Sequence, residues 1–118
     1  MSIRRLQPGP RMSQAVVHGG LVFLAGQVAS DPTQDVAGQT RQILQQIEAL
    51  LAEAGSDKSR ILSANIWLAD ISSFGQMNSV WDPWVDPANP PARATVEARL
   101  AAPQFKVEIA VVAAVREG

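Results

Sequence analysis

The sequence predicts an α+β fold in which two helices pack on one face of a six-stranded sheet. One long segment has the three- and four-residue apolar spacing of an amphipathic helix, and several shorter segments have the alternating or continuous apolar pattern of strands. The length of 118 residues suffices for one hydrophobic core and not for two. We therefore expect a single domain over residues 1–118.

The first predicted element is a β-hairpin. The apolar runs 15–17 and 21–25 flank a glycine pair at 19–20, and glycine reaches the positive φ angles that tight hairpin turns require. Gly26 follows the second run and marks a bend or a close approach of another group to the backbone. His18 lies at the hairpin tip, so we interpret it as a turn residue and not as a general base.

The next element is the first helix, predicted from Val36 to Ala54. A turn cluster at 31–35 supplies capping residues before it, and Gly55 is a typical stop just after it. The apolar face is formed by residues at helical spacing: Ile43, Leu44, Ile47, Leu50, Leu51 and Ala54.

A strand and a second helix follow. The strand is predicted over 61–69, and Asp70 and Ser72 are candidate caps for the helix after it. Pro83 should kink or restart this helix, and 86–91 is a stiff proline-rich loop. The apolar stripe of the second helix consists of Phe74, Met77, Trp81 and Trp84. Together with Trp67 these tryptophans could line a pocket, although aromatic residues at helical spacing are more often core.

Two strands, 92–100 and 106–115, close the chain. The first alternates small apolar residues with Arg93, Thr95 and further charged residues, which is typical of a solvated polar face. The second is apolar throughout except at Glu108, and a continuous apolar run predicts a strand buried on both faces.

Glu108 is the first candidate for chemistry, because a carboxylate in an apolar run needs a partner or water. It could form a salt bridge with Arg93, Arg99 or Lys106, or lie in water near the start of the strand. Alternatively it is an acid–base group, with Arg93 holding an anionic substrate. A hairpin of the last two strands would set Glu97 opposite Glu108, which is unfavourable. Either the register differs or Arg93 and Glu108 meet through a neighbouring subunit.

The composition excludes several functions. Ten basic and eleven acidic residues give a net charge of −1, so we expect neither a nucleic-acid nor a membrane partner. With no cysteine and one histidine, no metal site is expected. Phosphate-binding glycine loops, dinucleotide fingerprints and Gly-x-Ser-x-Gly elbows are also absent from the sequence. The first residues lack the apolar core of a signal peptide, which favours a cytoplasmic protein.

Several motifs, in order, resemble the RidA/YjgF family of enamine/imine deaminases over residues 13–115. They are Phe23–Val28 (FLAGQV), Ala54-Gly55, Ile61–Asp70 (ILSANIWLAD), Phe74–Asn78 (FGQMN), Pro91–Val96 (PARATV) and Lys106–Ile109 (KVEI). The resemblance implies a chorismate-mutase-like fold with a mostly antiparallel or mixed sheet, assembled as a homotrimer with a pocket at each subunit interface. It also implies cofactor-free hydrolysis of 2-imino acids or their enamine tautomers, of the 2-iminobutanoate and 2-iminopropanoate type, to 2-oxo acids and ammonia.

Carried over by position, the resemblance assigns roles to five residues. Arg93 would clamp the substrate carboxylate, for which a planar guanidinium offers two parallel charge-assisted hydrogen bonds. Glu108 would position and activate the attacking water. Asn78 and Thr95 would line the pocket, and Gly26 would bring its backbone close to the ligand.

Three positions depart from the family pattern. Met12 lies near a family tyrosine, Ala25 replaces a serine and Thr95 replaces a cysteine. The resemblance therefore implies a more apolar pocket floor, suited to a longer or bulkier imino acid. Two alternatives stay open: a non-catalytic trimeric binding, chaperone-like or regulatory module, and a structural protein in which Arg93 and Glu108 neutralise each other.

Overall fold

Six strands form one mixed sheet and two helices cover one of its faces in the computed structural model, which describes residues 2–116. Residues 1, 117 and 118 of the predicted domain lie outside this range. The elements are β1 (Arg4–Pro8), β2 (Ser13–His18), β3 (Leu21–Leu24), α1 (Val36–Ala54), β4 (Ile61–Leu68), α2 (Phe74–Trp84), β5 (Ala92–Glu97) and β6 (Val107–Ala114). The predicted α+β architecture is confirmed. Within residues 2–116, no helix has both the length and the apolar character needed to cross a membrane.

The strand order is β1-β2-β3-β6-β4-β5. Neighbouring strands are antiparallel except β4 and β5, which are parallel. The last two strands do not form a hairpin, because β4 lies between β5 and β6. Glu108 stands opposite Trp67 and not opposite Glu97, so the unfavourable pairing of two carboxylates that such a hairpin would create does not arise.

The hairpin of β2 and β3 closes through the two residues Gly19 and Gly20, with φ angles of 62° and 79°. Positive φ at both positions is what this two-residue turn requires, so the prediction is confirmed. Strand β1, by contrast, has no counterpart among the predicted elements. Only Leu6 of its five residues is buried, and a short polar edge strand carries little apolar pattern.

A side-chain cap begins α1, whereas α2 begins after Ser73 without one, so the prediction that Asp70 and Ser72 cap the second helix is wrong. Asp35 accepts a hydrogen bond from the Gly38 amide (2.9 Å) at the start of α1, and Gly55 ends that helix in the left-handed conformation, as predicted. Asp70 caps a short 3₁₀ turn over 71–73 that leads into α2. Pro83 does not restart the helix, because α2 continues through it and ends one residue later.

The core lies between the helices and one face of the sheet. In β6 the buried residues alternate with half-buried ones, so the expected burial on both faces is only half correct. The buried set, which faces the helices, is Val107, Ile109, Val111 and Ala113. We call the other side of the sheet the open face; by register it carries Phe23, Trp67, Val96, Glu108, Ala110 and Val112. Phe23 is 45% exposed there and Val96 51%.

Candidate active site

Arg93 lies on edge strand β5, on the side that faces the helices, because it pairs with the buried Ala64 of β4. Its side chain is half-buried and extends over α2. Nη1 donates a hydrogen bond to Asn78 Oδ1 at 2.7 Å. The guanidinium carbon lies 5.2 Å from the ring centroid of Trp81 and 5.7 Å from that of Phe74. Both distances are within the range of cation–π attraction.

The sequence predicts that the polar side of β5 faces solvent, but in the structure the apolar side is the more exposed one. Arg93 and Thr95 are half-buried, whereas the apolar residues Ala92, Ala94 and Val96 are exposed. The reason is that α2 covers the polar side of the strand, while the apolar side belongs to the open face. Apolar residues left exposed in this way are typical of an interaction surface.

Thr95 lies two residues from Arg93 on the same side of β5. Its Oγ1 is buried, and no hydrogen-bond partner for it is found within residues 2–116. An unpaired buried hydroxyl is unfavourable by about 1–3 kcal/mol. The Thr95 hydroxyl is thus available for a hydrogen bond that residues 2–116 do not supply.

Glu108 lies on the open face, against the backbone of Gly26. A Cβ atom added at Gly26 would overlap Glu108 Oε2 and lie 2.9 Å from Cδ. Two backbone hydrogen bonds between Gln27 and Ile109, of 2.8 and 3.1 Å, hold the two segments together. The resemblance implies that the backbone of Gly26 lies close to the ligand. In the single chain, the group that lies closest to Gly26 is the Glu108 carboxylate.

Arg93 and Glu108 do not meet within one chain. They lie on opposite faces of the sheet, and the ion pairs found among residues 2–116 involve neither of them. The expected salt bridge from Glu108 to Arg93, Arg99 or Lys106 is therefore absent from the described part of the chain. Mutual neutralisation of Arg93 and Glu108 inside one subunit is likewise not observed.

The remaining candidate residues lie at the ends of strands β2 and β3. Met12 is 48% exposed before β2, and the Ala25 amide donates to the Gln14 carbonyl (2.9 Å) beside Gly26. His18 is the exposed last residue of β2, directly before the turn and not in it, with Nδ1 3.2 Å from the Ser2 carbonyl. In the described range no cluster of three or more potential metal ligands occurs.

The tryptophans separate into two groups. Trp81 is 5% exposed, and its ring centroid lies 5.4 Å from that of Trp84. Trp67 lies on the open face opposite Glu108. The prediction that the stripe of α2 is core holds for Met77 and Trp81 but not for Phe74, which is exposed. Only the position of β5 shows that Phe74 and Trp81 contact a guanidinium.

A glutamine network that sequence reasoning missed supports the segment around Gly26. Gln27 is 6% exposed and its Nε2 donates to Gln14 Oε1 at 3.0 Å. Gln46 of α1 donates to Gln27 Oε1 (3.2 Å) and to the Val28 carbonyl (3.0 Å). No local signal distinguishes Gln46 from the solvent-facing glutamines of the same helix.

Each chain thus presents two separate chemical groups. One is a guanidinium with neutral partners on the helix side, which can bind an anion. The other is a carboxylate beside an exposed apolar sheet face, which can accept a proton.

Known proteins share this sequence almost throughout. Residues 2–115 match the family described as Endoribonuclease L-PSP. A RutC family protein of Haemophilus influenzae is 47% identical over 114 residues, which cover 96% of this chain and 98% of the relative. The RutC family protein YoaB of Escherichia coli is 44% identical over 115 residues, covering 98% and 100%.

Solved structures agree with the fold. A member of the YjgF protein family from Neisseria meningitidis superposes with a TM-score of 0.97 at 47% identity, covering 100% of this chain and 98% of that one. A protein of the conserved Rid family from Yersinia pestis gives a TM-score of 0.83 at 32% identity, covering 90% and 89%. The chorismate-mutase-like fold implied by the sequence resemblance is confirmed.

Proposed function

The chain belongs to the Endoribonuclease L-PSP family, whose members include YjgF, Rid and RutC proteins. On this premise we propose that it hydrolyses reactive 2-imino acids to 2-oxo acids and ammonia. The proposal includes their enamine tautomers, requires no cofactor and places the reaction in the cytoplasm. The observation that supports it most is the half-buried guanidinium of Arg93, whose contacts are an amide oxygen and two aromatic rings. A cation held by neutral groups retains its charge for an anionic substrate.

In the proposed reaction, Arg93 binds the substrate carboxylate through two parallel N–H groups. A water molecule attacks the imine carbon while Glu108 accepts one of its protons, and a carbinolamine forms. The proton passes to nitrogen, the carbon–nitrogen bond breaks, and ammonia leaves with formation of the 2-oxo acid. Water supplies the oxygen and both hydrogens that the products gain, so no oxidant or reductant is needed.

We further propose that the site is completed in a homotrimer, with Arg93 of one copy and Glu108 of the next. The location of these residues on opposite faces of the sheet supports this, since one chain alone does not bring them together. The exposed apolar side chains of Phe23 and Val96 on the open face also support self-association, as they would be buried by a second copy.

The test is hydrolysis of an imine generated in solution by an amino acid oxidase. 2-Oxo acid and ammonia release is compared with and without the purified protein, for imines derived from alanine, 2-aminobutanoate and leucine. We expect acceleration over spontaneous hydrolysis. A trimer that binds 2-oxo acids and accelerates none of these reactions would instead support the alternative, a non-catalytic binding, chaperone-like or regulatory module.

Two substitutions test the proposed roles. Glu108→Gln should lower kcat by about 10²–10⁴-fold, the usual contribution of a general base. Arg93→Lys should raise KM by about tenfold or more, because lysine keeps the charge but not the paired N–H groups. Arg41→Lys, on the exposed side of α1, is the matched control and should behave as wild type. Full activity of folded Arg93→Lys would exclude the bidentate clamp.

RNA cleavage, which the description of the family raises, has weaker support in this chain. The single histidine is exposed at a hairpin tip and the net charge is −1. Neither feature favours a polyanionic substrate.

A further inference from the structure

Three side chains of α2 surround the Arg93 guanidinium: Phe74, Asn78 and Trp81. Their spacing of four and three residues places them on one side of the helix. Asn78 fixes one end of the guanidinium through the 2.7 Å hydrogen bond to Nη1, and the two rings approach its carbon at 5.2 and 5.7 Å. We call these three residues the cradle.

The cradle has no charge. An aspartate at position 78 would have nearly the shape of asparagine and would form a stronger, charge-assisted contact with Arg93. The chain has the neutral amide instead, and none of the ion pairs among residues 2–116 includes Arg93. A cation selected only to stabilise the fold would gain more from a carboxylate.

Phe74 also contributes little to the core. It is 43% exposed although its ring contacts Arg93. Trp81 is the opposite case, since it is 5% exposed and packs against Trp84. The ring of Phe74 can therefore be altered with little effect on packing, whereas that of Trp81 cannot.

We propose that Phe74, Asn78 and Trp81 are positioning residues, which fix the plane of the Arg93 guanidinium so that its remaining N–H groups meet a planar carboxylate. Because these three residues are neutral, they leave the positive charge of Arg93 available to the substrate. The inference rests on the proposed function and deepens it. A guanidinium has five N–H donors, and Asn78 engages one of them. Holding the rest in a fixed orientation lowers the entropy cost of binding the substrate.

The first test is Asn78→Asp, with 2-oxobutanoate as the probe and binding measured by calorimetry. The added carboxylate would neutralise Arg93 and should raise the Kd about tenfold or more, while the thermal midpoint stays the same or rises. Gln76→Glu adds the same charge to an exposed position of the same helix and should leave the Kd within twofold of wild type.

The second test separates positioning from stability. Phe74→Leu should raise the Kd and the KM about two- to fivefold, with kcat within twofold of wild type, and Phe74→Tyr should restore binding because it keeps the ring face.

Each outcome bears on one of the two proposals. Unchanged 2-oxobutanoate binding in Asn78→Asp, or equal weakening by Gln76→Glu, would overturn the cradle while leaving the proposed reaction intact. Equal loss of binding in Phe74→Leu and Phe74→Tyr would also contradict the positioning role of the cradle. Wild-type protein that neither binds 2-oxobutanoate nor accelerates imine hydrolysis would overturn the proposed function, and the cradle with it.

Discussion

Gly26 and Glu108 illustrate how the absence of one side chain creates room for a functional group. The carboxylate occupies the space that a Cβ at position 26 would fill, and the bridge between Gln27 and Ile109 keeps the two backbones in contact. The φ angle of Gly26 is not positive, so steric room, and not backbone conformation, requires glycine here.

We therefore expect Gly26→Ala to fold but to displace the Glu108 carboxylate. The group that must move is the end of a flexible side chain, so the loss of stability should be small, whereas kcat should fall about tenfold or more because the proposed base leaves its position. Steady-state kinetics and a thermal melt measure the two effects.

The matched control is Gly75→Ala, since a Cβ at this position of α2 meets no atom within 4 Å. It should raise the free energy of unfolding by about 0.5–1 kcal/mol, as alanine does in helices, and leave kcat unchanged. Wild-type kcat in Gly26→Ala would show that the position of Glu108 is unimportant.

At the scale of whole elements, Gln39 attaches the start of α1 to the strand that carries Glu108. The residue is completely buried. Its Nε2 lies 3.0–3.1 Å from the carbonyls of Pro32, Gln34 and Gln104. Its Oε1 accepts from the Lys106 amide at 2.9 Å, two residues before Glu108. One side chain thus satisfies backbone groups of two distant loops.

Gln39→Ala should lower the free energy of unfolding by about 2–4 kcal/mol, since each buried backbone group left unpaired costs about 1–3 kcal/mol. Urea denaturation measures the change. Gln45→Ala, on the exposed side of the same helix, should stay within about 0.5 kcal/mol of wild type. A similarly small change in Gln39→Ala would refute the role of this residue.

At the scale of the whole molecule, the sheet separates Arg93 from Glu108, the two residues of the proposed site. β5 directs Arg93 toward the helices, and β6 directs Glu108 toward the open face. The proposed trimer resolves this separation and covers the exposed apolar residues at the same time. A substitution that breaks the proposed trimer should therefore also abolish activity.

Phe23→Arg should convert a particle of three 12.6 kDa chains into monomers, because it places a charge within the apolar open face. Light scattering after size exclusion measures the mass, and circular dichroism checks the fold. Gln45→Arg adds the same charge on the helix side and should remain trimeric. A monomeric wild type, or a trimeric Phe23→Arg with full activity, would contradict the shared site.

Local patterns in the sequence were sufficient for most elements. The alternation and spacing of apolar residues predicted the hairpin at 15–25, the helix Val36–Ala54 and the last strand, because these patterns reflect burial of adjacent residues on one face. They also drew attention to Glu108 as a carboxylate in an apolar run. β1 was not predicted, since an edge strand with one buried residue has no such pattern.

The sequence by itself determined the helices, most of the strands and the family to which the chain belongs. Only the tertiary structure decided that β4 separates β5 from β6, that Arg93 faces α2 and that Phe74 and Trp81 contact its guanidinium. The physical reason is that periodicity records which residues of one element share a face. Which strands become neighbours, and what each face meets, depends on connections between segments far apart in the chain.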